Sequence, residues 1–196
     1  MIENIELAAL DGADAALADR ALAALEGGAV LTFHQLRFAL APEDCRLIEA
    51  AGDPANAGRK NVSYDPRRGA VKGTALAGPA LAAVADMQER FGRFAEALVL
   101  AIAPRYRPGL SRARASFRPV EIAGRVTSWR KDDRRRHVDA FPSSPTGGAR
   151  ILRVFANVDR HGVDRVWRVG PNFESYAGTF LPRAERPLPG VASALA

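Results

Sequence analysis

Cysteine occurs once, as Cys45, so neither an internal disulfide nor a multi-cysteine zinc site can form. Only 3 histidines are present, His34, His137 and His161, which sharply limits any imidazole-based metal centre. The start, Met1–Glu6, has neither the basic residues nor the apolar run of a signal peptide, and export by that route is not expected. Long apolar stretches are missing too. The longest, Ala95–Ala103, is interrupted by Glu96 and falls well short of the about 18 residues that a spanning helix needs. No internal repeat and no long low-complexity linker divides the chain.

What is there is a 196-residue chain with 47% hydrophobic and 26% charged residues, enough for one domain with a sizeable core. The net charge is +6 and the pI is near 10.2. A basic chain of this kind suits an anionic partner: a phosphate, a carboxylate, an acidic lipid surface or nucleic acid.

Three textures follow one another. From about Ala13 to Leu110 the chain is alanine-rich and reads as a helical layer. Asp14–Glu26 carries Leu17, Ala21, Leu22 and Leu25 on one face, and Gly27-Gly28 stops it. Ala29–Phe33 reads as a short strand. Pro42–Ala50 reads as a helix with Pro42 in its first turn and acids behind it. Ala51–Gly73, rich in Gly, Pro and Asn, reads as a loop. Pro79–Ala103 is the longest helix, with Leu81, Val84, Met87, Phe91, Phe94, Leu98 and Ile102 at helical spacing and Pro104 behind it. From about Arg112 to Gly170 the period changes, and Ala115–Ile122, Val126–Arg130, Arg150–Val158 and Arg165–Val169 read as antiparallel strands. Pro171–Ala196 holds a helix at Phe173–Phe180 and a Pro/Ala-rich tail. Helices followed by strands make an α+β fold, expected as a single domain over residues 1–196.

The segment richest in chemistry is Ser128–Ser143. Within it His137-Val138-Asp139 has the spacing His-x-Asp. On a strand, residues i and i+2 share a face, so an imidazole and a carboxylate can converge on one cation. A neutral nitrogen and a hard oxygen suit Fe(II) in a facial triad completed by a second, distant His, with positions left open for a bidentate co-substrate and O₂. The same three residues also fit a surface His beside an Asp in a charged loop, or a Zn or Mn hydrolase.

Longer blocks surround the pair: Asn61–Pro66, Lys72-Gly73, Ser128 with Arg130–Asp133, Arg135, His137–Ser143, Arg150–Phe155, Asn157, Arg165–Gly170 and Phe173-Glu174. In these blocks, from about Val30 to Leu181, the sequence resembles the Kdo 3-hydroxylases, bacterial Fe(II)/2-oxoglutarate dioxygenases. The resemblance implies hydroxylation at C3 of 3-deoxy-D-manno-oct-2-ulosonic acid (Kdo) on a Kdo-lipid A glycolipid, with succinate and CO₂ released. It implies a double-stranded β-helix (jelly-roll) core behind the N-terminal helical layer, with Fe(II) and 2-oxoglutarate as cofactor and co-substrate. His137 and Asp139 match the first two iron ligands. The third is ordinarily a His on a late strand, with a basic residue beyond it gripping 2-oxoglutarate.

His34 precedes the pair, and His161 lies in what reads as a hairpin turn at Asp159–Gly162. Fewer strands are visible than the about eight of a jelly roll. The chain is therefore expected to stop before the distal His and the 2-oxoglutarate anchor, leaving hydroxylation weak or absent unless the site is completed in another way. The alternative is a catalytically dead oxygenase remnant or a basic anion-binding module.

Arg125, Arg130, Lys131, Arg134, Arg135, Arg136, Arg150 and Arg153 surround the proposed site, and Arg130, Arg135 and Arg153 are expected to hold anionic groups of the glycolipid. Asn61, Tyr64 and Lys72 are candidate sugar contacts from a lid, or else members of a loop pinned by its own side chains. Trp129 and Trp167 are expected in the core, and Cys45 has no base beside it to make it a nucleophile. The expected location is cytoplasmic, peripheral on the cytoplasmic face of the inner membrane, in contact with its anionic surface. No nucleic acid partner is expected, because no nucleic-acid-reading motif is present.

Overall fold

The computed structural model describes residues 1–51, 61–118, 146–167 and 169–183. The chain divides into two compact units, Met1–Val166 and Trp167–Ala196.

The first unit is organised on one long helix. Strand β1 (Ile2–Asn4) is followed by helix α1 (Ala15–Glu26), strand β2 (Val30–Thr32), helix α2 (Pro42–Ala51), strands β3 (Val62–Asp65) and β4 (Ala70–Lys72), helix α3 (Gly78–Ile102) and strand β5 (Ala115–Phe117). The Asp14 carboxylate accepts from the Leu17 N–H at 2.7 Å and caps α1. At its other end Gly28, at φ 78°, turns the chain in a conformation costly for other residues. The exit leads into β2, which lies parallel to β1 with Ile2 opposite Val30 and Asn4 opposite Thr32.

Pro42 opens α2, and Asp44 behind it performs two jobs. Its carboxylate accepts from the Ala41 N–H at 2.6 Å, satisfying an otherwise orphaned donor at the helix start. It also takes the Arg90 guanidinium of α3 at 2.7 and 2.8 Å. Arg90 is held in addition by Asp86, one turn earlier on α3, at 2.7 Å, and lies over the Phe38 ring at 5.8 Å. Asp44 is almost fully buried, so this ion pair locks α2 onto α3.

Helix α3 spans 25 residues, about 37 Å, and ends where Pro104 follows Ala103. Its final turns, through Leu98, Ile102 and the adjoining Ala103, pack on Ile5, Leu7 and Ala21. Its earlier turns, through Val84 and Met87, pack on Val62 of β3 and Phe117 of β5. The sheet that meets those earlier turns has the order β4-β3-β5 and is antiparallel throughout. Val62, Tyr64, Val71, Ala115 and Phe117 share its inner face by register. Gln88 of α3, buried, can donate its amide to the carbonyls of Val62 and Ala115, each at 3.1 Å.

Several expectations are corrected. The region read as a loop over Ala51–Gly73 contains the β3–β4 hairpin, because Val62, Tyr64 and Val71 supply inner-face residues that a count of Gly, Pro and Asn does not reveal. Strand β5 covers Ala115–Phe117 of the longer run expected to Ile122, whose remainder leaves the described residues at 119. The strand expected at Val126–Arg130 lies outside the described residues. Arg150–Val158 and the described part of Arg165–Val169 form no strand. The first still shows strand-like alternation: Val154 packs on the first apolar cluster and Val158 on the second, while Phe155 between them is 59% exposed. Trp167 is exposed and not in the core. The second unit contains helix α4 (Phe173–Phe180), as expected, with Asn172 accepting from the Ser175 N–H at 2.9 Å.

Three outcomes are expected. Asp44→Ala leaves the Ala41 N–H without its acceptor and Arg90 with Asp86 alone, and lowers stability by about 2 kcal/mol, at the low side for a broken buried pair because Arg90 is partly open to water; urea unfolding reads this. Gly73→Ala, at φ 83° with a new Cβ 2.2 Å from the Asn61 carbonyl oxygen, costs at least about 2 kcal/mol in the same assay. The third concerns Glu26, which accepts from Arg150 at 2.8 to 3.0 Å and from the Tyr106 hydroxyl. Arg150 first and Tyr106 second hold its carboxyl below the usual value of 4.5. The stabilisation is therefore present above that value and lost as pH falls through the lowered one. Unfolding measured from neutral pH into acid should weaken accordingly, and Glu26→Gln should make that acid dependence shallower.

Candidate functional site

Of the described residues that the sequence singled out, Asn61, Tyr64 and Lys72 lie in or beside the sheet that packs on the middle of α3, and Arg153 lies apart from it. Alternation along β3 sends Val62 and Tyr64 inward and Ser63 and Asp65 outward, as their burial shows. Tyr64 is therefore 9% exposed and faces α3. There its hydroxyl is joined to Glu89, and burial first, then the Glu89 charge, pushes the phenol above its ordinary value of 10.0. Glu89 accepts from Arg93 at 2.9 Å and from Arg112 at 2.9 and 3.1 Å. Arg93 first and Arg112 next hold its carboxyl below the ordinary value against the opposing effect of burial. Arg112 crosses α3 at Gly92, where a Cβ would stand 3.3 Å from its Nη1, and reaches toward Glu96 at 3.8 Å. Its Nη1 is shut from solvent without a hydrogen-bond partner. Tyr64, Pro66, Gln88, Glu89, Gly92 and Arg112 line a small cleft at this point.

This arrangement is a structural clamp with an ionised carboxylate at its centre. At neutral pH Glu89 stays charged and the Tyr64 phenol stays protonated, so Tyr64 serves as a donor to Glu89 and braces β3 against the helix. The sequence offered Tyr64 either as a sugar contact from a lid or as a member of a loop pinned by its own side chains, and did not mark Glu89 or Arg112. The signal available for them was the i, i+4 pairing of Glu89 with Arg93 on a helix.

Lys72 lies on the other side of the same hairpin. Lys72 is exposed and stands opposite Ser63. Asn61 immediately precedes β3, and its side-chain oxygen is shut from solvent with no donor. Gly73 crosses directly over the Asn61 backbone. The turn between the strands is made by Asp65, whose carboxylate accepts from the Arg67 N–H at 3.0 Å. Arg153 is exposed on the extended run after Arg150, and Arg150 itself is engaged with Glu26.

The candidate ligands His137 and Asp139, the candidate contacts Arg130 and Arg135, and the neighbouring Arg125, Lys131, Arg134 and Arg136 lie outside the described residues. Among the described residues no group of three or more His, Cys, Asp or Glu side chains is placed to hold a metal ion. His34 follows β2, and His161 sits in a tight turn in which Asp159 accepts from the N–H groups of His161 and Val163 at 2.8 and 2.9 Å. The turn is the one read from the sequence, without strands on either side of it. By donor type, a His imidazole and an Asp carboxylate such as those of His137 and Asp139 suit ferrous iron.

Comparison with known proteins gives a consistent result. No curated protein matches the chain. Among solved structures, a Kdo hydroxylase, KdoO, a non-heme Fe(II) alphaketoglutarate-dependent dioxygenase in complex with cobalt(II), is 42% identical, with a TM-score of 0.87 over 96% of this chain. A Kdo hydroxylase KdoO in complex with alphaketoglutarate and Fe(III) gives 41% identity and a TM-score of 0.86, and an apo Kdo hydroxylase KdoO gives 42% and 0.85. The chain spans 63% of the length of each of these three. Residues 11–196 match the family described as 3-deoxy-D-manno-oct-2-ulosonic acid (Kdo) hydroxylase. With nearly the whole chain inside that match, the chain belongs to the Kdo hydroxylase family.

Proposed function

We propose that this protein is an Fe(II)/2-oxoglutarate-dependent dioxygenase that hydroxylates C3 of Kdo in a Kdo-lipid A glycolipid. The observation that carries the reading is 39% to 42% identity, across 96% of the chain, to Kdo hydroxylase structures that hold cobalt(II), Fe(III) with alphaketoglutarate, or Fe(III) with succinate. The donor types of His137 and Asp139 agree with it.

In this reading His137 supplies a neutral imidazole nitrogen and Asp139 a carboxylate oxygen to ferrous iron, two residues apart in a segment with strand-like composition. When bound, the iron with 2-oxoglutarate and O₂ supplies the oxidising power for replacing a C–H bond by C–OH, and succinate and CO₂ leave. The chain's own part is to bind and orient. Arg130, Arg135 and Arg153 would hold the anionic groups of the acceptor, since a guanidinium pairs bidentately with carboxylate and phosphate. Asn61 and Lys72, at one end of the β3–β4 hairpin, would donate to acceptor oxygens. Tyr64 contributes by bracing that hairpin through Glu89. Holding the acceptor in one orientation is worth more than any single contact, because the reacting carbon must sit within about an ångström of the right place. A jelly-roll core for the strand region belongs to the same proposal. So does a cytoplasmic location in peripheral contact with the anionic face of the inner membrane. Among the described residues no helix is long and apolar enough to cross a membrane.

Anaerobic titration with Fe(II) in the presence of 2-oxoglutarate is the test. A visible charge-transfer band should appear with the protein as it stands and be lost, with affinity down at least about tenfold, in His137→Ala and Asp139→Ala. No band, or a band that the two variants retain, would remove the iron site from this chain.

A further inference from the structure

We infer that the outward face of the sheet β4-β3-β5 is a docking surface for the acidic sugar of the acceptor, a use of this face that rests on the oxygenase reading above. The register places Ser63, Lys72 and Ser116 side by side in one cross-strand row, and Asp65 and Ala70 in the next. Arg114, one residue before β5, reaches Asp65 at 3.6 Å and so stands on the same side. Arg118, one residue beyond β5, continues the alternation and is exposed.

The composition of this face decides what it can receive. A sheet face destined to be covered by a helix or a second sheet carries large apolar residues at alternate positions, as the inner face does with Val62, Val71 and Phe117. The outer face has Ala70 as its sole apolar side chain among the described residues. It offers two hydroxyls at its centre and three cations, Lys72, Arg114 and Arg118, against one carboxylate, Asp65. Lys72 has no carboxylate partner among the described residues. Serine hydroxyls both donate and accept, which suits vicinal sugar hydroxyls, and the flanking cations suit a sugar carboxylate. A nucleic acid would ask for aromatic platforms and a longer basic track, and the face has neither. A bilayer would ask for exposed apolar side chains, and these are missing as well. The charge and hydroxyl pattern therefore fits a carboxylated, polyhydroxylated sugar. Tyr64, on the inner face, takes no part in it.

Titration calorimetry at low ionic strength tests the assignment, with free Kdo monosaccharide, its methyl ester and inorganic phosphate as probes. The proteins are the wild type, Lys72→Ala/Arg114→Ala, Ser116→Val, and a control, Arg105→Ala/Arg107→Ala, which removes the same charge from exposed positions beyond α3. Thermal melting establishes that each is folded, and the exposed Ser116→Val tests the face without a change in charge. Kdo should bind the wild type and the control alike and the Lys72/Arg114 variant at least tenfold more weakly. Its methyl ester should bind the wild type more weakly than Kdo does, and Ser116→Val should weaken Kdo severalfold. Kdo binding that is absent, unchanged in the Lys72/Arg114 and Ser116 variants, or displaced by an equal concentration of phosphate would overturn the assignment. The Fe(II)/2-oxoglutarate titration run on the Lys72/Arg114 variant should match the wild type, so loss of the iron site and loss of this face are read separately.

Discussion

Helix α3 has to satisfy two apolar clusters and a set of charges at once, and the remainder of the first unit is arranged around that demand. Its last turns close over Ile5, Leu7 and Ala21, which brings β1 and α1 to it. Its earlier turns close over Val62 and Phe117, which brings the three-stranded sheet to it. Because one rigid rod serves both clusters, displacing it at either end would disturb packing at the other. Interiors tolerate such displacement poorly, since close-packed side chains have few voids into which to move.

The polar contacts along α3 then set register where apolar packing alone would permit sliding. Asp44 meets Arg90 from α2, Gln88 reaches the β3 and β5 carbonyls, and Glu89 collects Tyr64, Arg93 and Arg112. Each removes polar groups from water, and each is satisfied only in one alignment of helix and sheet. The opposite side of the sheet follows from the same alignment. With Tyr64 committed to the helix, the period of two along β3 leaves Ser63 and Asp65 facing outward, and the neighbouring strands follow. The same alternation that builds the core presents a row of hydroxyls and cations to the exterior.

Helices were readable because their signals are local. Asp14, the glycines after Glu26, Pro42 and Pro104 mark ends through backbone chemistry that acts within a turn, and the boundaries of α1, α2, α3 and α4 follow them closely. The short strands were less readable. β3 and β4 sit among residues whose composition suggests a loop, and they become strands through pairing with each other and with β5. Conversely, Arg150–Val158 has the composition and alternation of a strand without a ladder, tied down at one end by Glu26 and packed through Val154 and Val158. β1 escaped notice because a three-residue strand at the terminus acquires its identity from β2, nearly thirty residues away.

The longer blocks between Asn61 and Glu174 carried the family resemblance, and the family match bears it out; His137 and Asp139 were candidates by donor type and spacing and lie outside the described residues. Folding assigned the roles within the hairpin. Tyr64, Asn61 and Lys72 look equivalent along the chain, yet pairing turns the tyrosine inward onto Glu89 and leaves the lysine outside beside Ser63. Which face of a strand meets the core is settled by a partner distant in sequence, and no local pattern of so few residues contains that information.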